Sequence, residues 1–390
     1  MSSQRHVIIG GGMTGHAAAA AIREADPHAL IAMLAAEPER PYARPPLSKA
    51  LWLGKASEES VWLPEVAGLE LHLGRRAVEI DLRARHVRDD RGGVHPFDRL
   101  LLATGGAPRR LPFGGERVLY YRTLADYRRL RAVPGRSVAV IGGGFIGSEI
   151  AAALAQNGKD VTMVFPEPAI GARAYPQELA AHVTRTFEGK GVRVLAGRAV
   201  AAVEERGERT AVRTSGGEEI VADAVVAGLG IRPETALAEA AGLRCGDGIE
   251  VDERLETSAP GVFAAGDVAR FPCRALGARV RVEHEDAALT MGRAAGRNMA
   301  GAGEPYDHLP FFYSDLFDLG YEAVGRLDAS LETEASWRTP FREGVVYYLE
   351  GGRVRGVLLW GIFGQVEAAA RLVAGEEPVR RDALASAIPI

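Results

Sequence analysis

The chain has 390 residues, 47% hydrophobic and 25% charged, a length and balance that predict two or three ordinary globular domains rather than a disordered or fibrous protein. A formal net charge of −4 excludes the basic footprint of a nucleic-acid binder, and the lack of an 18-residue apolar run excludes a predicted membrane-spanning helix. Two cysteines, Cys245 and Cys273, are too few and too far apart for a disulfide framework or a closely spaced redox dithiol.

Val7–Ile9 is a short apolar run that predicts a buried parallel strand. Gly10, Gly11, Gly12, Met13, Thr14 and Gly15 follow, with the G-x-G-x-x-G spacing on positions 10, 12 and 15. A helical run over Ala17–Glu24 and a second strand over Leu30–Leu34 come next. Gly10 permits a tight turn, Gly12 lets backbone amides approach a pyrophosphate, and Gly15 lets helix and strand pack closely. The helix N-terminus then stabilises the negative charge. In a strand–turn–helix–strand context this pattern predicts a dinucleotide site. Glu37 is the nearest acid after the second strand, placed to hold a ribose hydroxyl or simply to stand as a solvated loop acid. The alanine-rich Ala17–Ile22 belongs to the helix rather than to a signal peptide. Because the chain opens almost directly on a strand, we expect no targeting segment and a cytoplasmic protein.

Arg99–Thr104 predicts a strand that ends in Thr104, Gly105 and Gly106. Ser137–Ile141 predicts another, followed by Gly142, Gly143, Gly144, Phe145, Ile146 and Gly147, which repeat the fingerprint. A helix over Ser148–Gln156, a stop at Asn157-Gly158 and a strand over Asp160–Phe165 complete the second copy. Two full copies about 130 residues apart predict two dinucleotides, most simply a bound flavin and an exchangeable nicotinamide. Both copies keep all three glycines, which argues against one being degenerate. Glu167 lies two residues beyond the strand, in reach of an adenosine ribose, with Arg173 the nearest following cation. That acid predicts NADH over NADPH.

A strand over Ala224–Gly230 belongs to the second copy. Val262–Ala265 ends in Gly266-Asp267, where the acid either meets a ribityl hydroxyl, caps the next helix, or does both. Gly344–Leu349 and Val354–Leu359 flank Gly351-Gly352, a hairpin signal, before a helical run over Gln365–Val373. No metal-ligand spacing occurs among the nine histidines and two cysteines, so no metal site is expected.

Four stretches carry a resemblance: Pro41–Lys49 (PYARPPLSK), Gly142–Glu149 (GGGFIGSE), Val262–Asp267 (VFAAGD) and Arg281–His284 (RVEH). In them the chain resembles the flavoproteins that include apoptosis-inducing factor and the oxygenase-coupled ferredoxin and rubredoxin reductases. Ser314–Leu316 and Gly320–Gly325 are similar to apoptosis-inducing factor in particular, without the insertion or the mitochondrial leader of the animal proteins, so a bacterial type is expected.

The resemblance implies an α/β fold of the glutathione-reductase-like, two-dinucleotide-binding kind, with a small C-terminal α/β domain. The expected parts are an FAD domain in two pieces (1–112 and 245–305), an inserted NAD domain (113–244) and a C-terminal domain (306–390). It also implies that Gly10–Thr14, Glu37, Arg44, Lys49, Ala77, Arg122, Asp267, His284 and Glu285 line FAD, with Thr104, Gly105, Gly266 and Tyr313 beside them. For NAD(H) it implies Gly143–Ile146, Glu167, Arg173, Gly230, Glu283 and Glu322. Three departures from the family pattern are Ala36 where a ribose-binding acid is expected, Tyr313 where tryptophan is expected, and Glu285 after His284.

The expected chemistry is hydride transfer from the nicotinamide to the flavin. Lys49 would set positive charge near flavin N5, paired with Glu149 across the domain boundary. Phe145 would face the nicotinamide side of the flavin, or plug the space between domains. Two functions remain open. One is an NADH-dependent reductase passing electrons to a ferredoxin, a rubredoxin or a small quinone-like acceptor. The other is a redox-sensing protein whose long-lived FADH–NAD charge-transfer complex governs dimerisation or partner binding. A monomer or homodimer fits either reading.

Overall fold

A computed structural model describes residues 4–390, which fall into two compact units. The first comprises the chain up to Ala43, with Glu58–Ala107 and Arg232–Phe311. The second comprises Arg44–Ser57, Pro108–Ile231 and Phe312–Ile390. The short segment Arg44–Ser57, which carries Lys49, thus belongs with the second fingerprint rather than with the first. Its Trp52 is fully buried there, donating from Nε1 to the Tyr121 hydroxyl at 3.0 Å, while the Asn157 amide donates to the Trp52 carbonyl.

The first unit is built on a five-stranded parallel sheet in the order Val262–Ala264, Arg99–Leu102, Arg5–Ile9, Leu30–Ala35, Leu69–Leu73. Its central strands are apolar on both faces, as parallel strands covered on both sides must be, and Ile8, Leu100, Leu101 and Leu102 are fully buried. The first fingerprint lies at the end of the middle strand, in the turn into helix Met13–Ala25. Helix Glu285–Met299 packs along that helix. Gly292 and Gly296 face it so closely that an added Cβ would stand 2.5 Å from the Thr14 carbonyl oxygen and 2.4 Å from that of Ala18. Small residues at the contact let the two backbones meet.

The second unit has its own five-stranded parallel sheet, ordered Arg193–Ala196, Asp160–Phe165, Ser137–Ile141, Ala224–Ala227, Val118–Tyr120. The second fingerprint again joins the middle strand to a helix, Phe145–Gln156. The C-terminal part is an antiparallel sheet of five strands in the order Phe311–Leu316, Leu319–Gly325, Arg353–Trp360, Glu343–Glu350, Glu332–Thr339. The expected hairpin turns at Gly351 and Gly352, whose φ values of 59° and 78° suit glycine. Helix Val366–Ala374 covers this sheet. Within the unit, Tyr175 donates to the Tyr321 hydroxyl at 2.9 Å and Tyr348 to the Ala174 carbonyl at 2.7 Å, tying the segment after Glu167 to the C-terminal sheet.

Both fingerprint helices start earlier than the sequence predicts, at Met13 and Phe145 rather than at Ala17 and Ser148. Glycine disfavours helix interiors, so the sequence reading began each helix after the last glycine. Gly15 and Gly147 are helical because only glycine fits there: a Cβ would stand 2.0 Å from the Gly10 oxygen and 2.1 Å from the Gly142 oxygen. Among the described residues no helix is long and apolar enough to cross a membrane.

Candidate functional site

The two fingerprints share one geometry. Gly10 has φ +126° and Gly142 φ +112°, and a Cβ on either would collide with a carbonyl of the neighbouring strand end, Ala103 or Gly228. Gly12 and Gly144 then precede the helices with φ/ψ of −84°/−172° and −82°/−169°. Neither helix has a side-chain cap, and a Cβ at Gly12 or Gly144 would meet nothing within 4 Å. Each turn is therefore an open cradle before uncapped amides at the positive end of a helix dipole, which suits a pyrophosphate. The residues present fit a dinucleotide at each.

In the first unit, Gly11 packs against Ala35, and Met13 and Thr14 open the helix. Glu37 is half-buried two residues beyond strand Leu30–Ala35, and its carboxylate accepts from the buried Tyr42 hydroxyl at 2.6 Å. That bond orients the acid, which is no free loop residue. Ala77 begins strand Ala77–Asp81. Thr104 donates to the Glu234 carbonyl at 2.9 Å, and Gly105 turns with φ 65°.

Gly266 has φ +74° and leaves room for the Thr14 hydroxyl, which its Cβ would approach to 2.3 Å, so the second piece of the chain reaches the first fingerprint directly. Asp267 lies inside the 3-10 turn Gly266–Val268, and the next α-helix begins only at Glu285 with His284 as its N-cap. The helix-capping alternative for Asp267 is thereby corrected: the chain enters strand Ala269–Cys273 after the turn instead of a helix. Burial pushes the His284 imidazole down to about 4, leaving it neutral at pH 7.

Arg281 was given no role by the sequence reading. Its side chain is nearly buried, donating to the Asp267 carbonyl at 3.1 Å and to Glu283 Oε1 at 2.8 Å, with Asp247 at 3.2 Å. It braces the turn that presents Asp267, and its place in the RVEH stretch was the available signal.

The second unit holds Arg44, Lys49, Arg122 and Tyr313 together with the second fingerprint, while Glu283, assigned to NAD, lies in the first. Arg44 donates to the Arg122 carbonyl at 2.9 Å. Glu167 follows strand Asp160–Phe165 and is paired at 2.5 Å with Arg173, whose side chain is 85% exposed. Gly143 packs against the Phe165 ring, Gly230 turns with φ 76°, and Glu322 accepts from the Gly364 amide at 2.9 Å. Phe145 and Ile146 are partly exposed. Phe145 meets Phe312 and Tyr175 edge-on at 5.3 and 6.5 Å, all in the same unit.

A buried polar cluster surrounds Glu149, which is 6% exposed on helix Phe145–Gln156. Lys49 Nζ stands 3.1 Å from its Oε1, with the lysine side chain 13% exposed. Both lie in the second unit, because the Arg44–Ser57 segment packs there. Lys49 also lies 4.1 Å from the centre of the partly exposed Tyr313 ring and donates to the Tyr313 carbonyl at 3.4 Å. Ser48 Oγ and Ser314 Oγ donate to the two oxygens of Glu149 at 2.8 and 2.6 Å. The sequence reading assigned neither serine a role. Cys245 and Cys273 are both free, and burial raises both thiols.

Residues 4–292 match the family model described as pyridine nucleotide-disulphide oxidoreductase, and residues 295–340 match that of the C-terminal part of apoptosis-inducing factor. The chain is 36% identical over 388 residues to the ferredoxin–NAD(+) reductase component of the anthranilate 1,2-dioxygenase system of Burkholderia cepacia, covering 96% of this chain and 95% of that protein. It is 32% identical to the mitochondrial apoptosis-inducing factor 1 of Dictyostelium discoideum, over 95% of this chain and 78% of the relative. Putidaredoxin reductase, in its covalent complex with putidaredoxin, superposes with a TM-score of 0.92 at 29% identity over 99% of this chain and 96% of that one. The chain belongs to the pyridine nucleotide-disulphide oxidoreductase family, among its apoptosis-inducing-factor-like ferredoxin reductases, and is an FAD-dependent NAD(P)H oxidoreductase.

Proposed function

We propose that this chain is an NADH-dependent ferredoxin-type reductase. FAD sits on the first fingerprint, NADH on the second, and a small iron–sulfur protein takes the electrons. The observation that carries the reading is the pair of matching open cradles, Gly10–Gly15 and Gly142–Gly147. The two free, burial-raised thiols add a second argument: with no dithiol to store electrons, they must leave to an external acceptor. The end-to-end likeness to a ferredoxin–NAD(+) reductase component favours an iron–sulfur acceptor over a quinone-like one.

Bound flavin would supply hydride acceptance from a nicotinamide and onward transfer of the electrons. The chain's own residues bind and orient. Helix amides after Gly12 and Gly144 would hold pyrophosphates, Glu37 and Asp267 would hold hydroxyls of FAD, and Glu167 those of the NADH ribose. Lys49, held in place by Glu149, would favour the reduced anionic flavin. Neutral His284 would offer hydrogen bonds rather than charge. We assign 1–112 and 245–305 to FAD, 113–244 to NAD and 306–390 to a C-terminal interface domain, in a cytoplasmic monomer or homodimer.

A second reading, a redox sensor of the apoptosis-inducing-factor kind, draws on the match at residues 295–340. One experiment separates them. The purified yellow protein is reduced anaerobically with NADH, then given air or a ferredoxin. Fast loss of the long-wavelength absorption with steady ferredoxin reduction is expected. A band lasting many minutes without ferredoxin turnover would select the sensor. Failure of NADH to bleach the flavin would sink both.

A further inference from the structure

Glu149 accepts three hydrogen bonds, from Lys49, Ser48 and Ser314. A serine hydroxyl has one proton, so each of these serines commits its proton to Glu149. Ser314 is 2% exposed, on the strand beside the one that carries Tyr321. Tyr321 accepts from Tyr175 at 2.9 Å. Burial raises both phenols, which therefore stay neutral donors. Trp360 packs on this tyrosine pair, stacked on Tyr321 at 5.4 Å and edge-on to Tyr175 at 5.6 Å. A hydrogen bond in a low-dielectric interior is stronger than in water and holds its acceptor.

We propose that Ser314 is a positioning residue that fixes the Glu149 carboxylate and through it the Lys49 ammonium. This rests on the reading of Lys49 as the flavin's charge partner. Lysine is a flexible stem with a point charge, so its position depends on what its partner does. The shared oxygen matters here: Ser314 and Lys49 both bond Oε1, so loss of the serine frees the atom that the ammonium grips.

The test uses the FAD-loaded protein, with Ser314→Ala and Ser314→Thr made in the wild type and in Glu149→Gln. Three quantities are read: the flavin midpoint potential, its visible spectrum, and kcat and KM for NADH. Ser314→Ala is expected to move the potential negative and to lower kcat on the order of tenfold with KM nearly unchanged. Ser314→Thr, which keeps the hydroxyl, restores both. In Glu149→Gln the serine change adds little further. Ser314→Cys, a weaker donor of similar size, shifts the potential the same way by less, and serves if the alanine variant fails to fold. A wild-type potential in Ser314→Ala or Ser314→Cys overturns the proposal, as does an undiminished serine effect in Glu149→Gln. A wild-type flavin that NADH does not reduce overturns the underlying reading first, before any variant is made.

Discussion

Gly10 and Ala103 meet backbone to backbone, with room for no more than a hydrogen: a Cβ on Gly10 would stand 2.1 Å from the Ala103 carbonyl oxygen. Gly12, two residues on, faces open space with an ordinary φ of −84°. The two glycines therefore answer to different demands, one to the fold and one to the ligand. Gly10→Ala should destabilise the first unit outright, with about 1–3 kcal/mol from backbone strain before the clash is counted. Gly12→Ala should fold and melt like the parent without added FAD, yet retain less flavin. Thermal unfolding of the flavin-free protein and the ratio of flavin to protein absorbance check the pair. Equal melting losses in both variants would contradict the assignment.

Glu149→Ala leaves the Lys49 ammonium enclosed with its carboxylate gone. Removing one partner of a buried pair costs more than the pair contributes, about 3–5 kcal/mol when burial is complete and less here, where Lys49 keeps some solvent and the Tyr313 ring. The flavin should stay bound while its reduction by NADH slows, each ~1.4 kcal/mol of lost stabilisation meaning about tenfold in rate. Stopped-flow reduction rates equal to the parent's would remove Glu149 from the reaction.

Nucleotide choice should follow Glu167. Its Ala variant loses hydrogen bonds from ribose hydroxyls to a charged acceptor, worth about 1.5–3 kcal/mol, so KM for NADH should rise at least tenfold with kcat little changed. Preference over NADPH should shrink. Arg173→Ala removes only an exposed partner, so stability should hold within about 0.5 kcal/mol, while rejection of NADPH by the freed carboxylate increases. Steady-state constants for both nucleotides test this.

His6 supplies a pH signature. It is 1% exposed on the central strand of the first sheet, and burial holds its imidazole down to about 4 against the ordinary 6.5. Between those values the unfolded chain binds a proton that the folded chain refuses, so stability is full above pH 6.5 and falls toward pH 4. The loss amounts to about 3 kcal/mol from this one group. Buried His284, similarly held down, adds to the same window. His6→Gln should flatten the stability–pH curve between pH 6.5 and 4 in denaturant titrations. An unchanged slope would show that the imidazole finds a proton in the folded state.

The strand–glycine–helix pattern was legible in the chain because it depends on local rules: apolar runs for covered parallel strands and glycines where backbones touch. Helix starts were misjudged at Met13 and Phe145 for the opposite reason, since the tertiary contacts of Gly15 and Gly147 override helix propensity. Ser48 and Ser314 could not be read from the chain. A serine carries no pattern of its own, and these two gain meaning only when they reach Glu149 from 101 and 165 positions away along the chain. Arg281 was half legible, noticed in a motif but silent until its carbonyl and carboxylate partners were in view.

The strand order of the first sheet also bears on how the molecule is made. Strand Arg99–Leu102 needs Val262–Ala264 along its outer side, and the whole of the second parallel sheet, from Val118 to Ala227, is synthesised in between. The earlier fingerprint therefore belongs to the sheet that closes later. Until residue 264 emerges, three fully buried leucines, Leu100, Leu101 and Leu102, lie on an open parallel edge, the kind of edge that recruits other chains. A nascent chain stalled between the two sheets is where this protein is most exposed to misassembly.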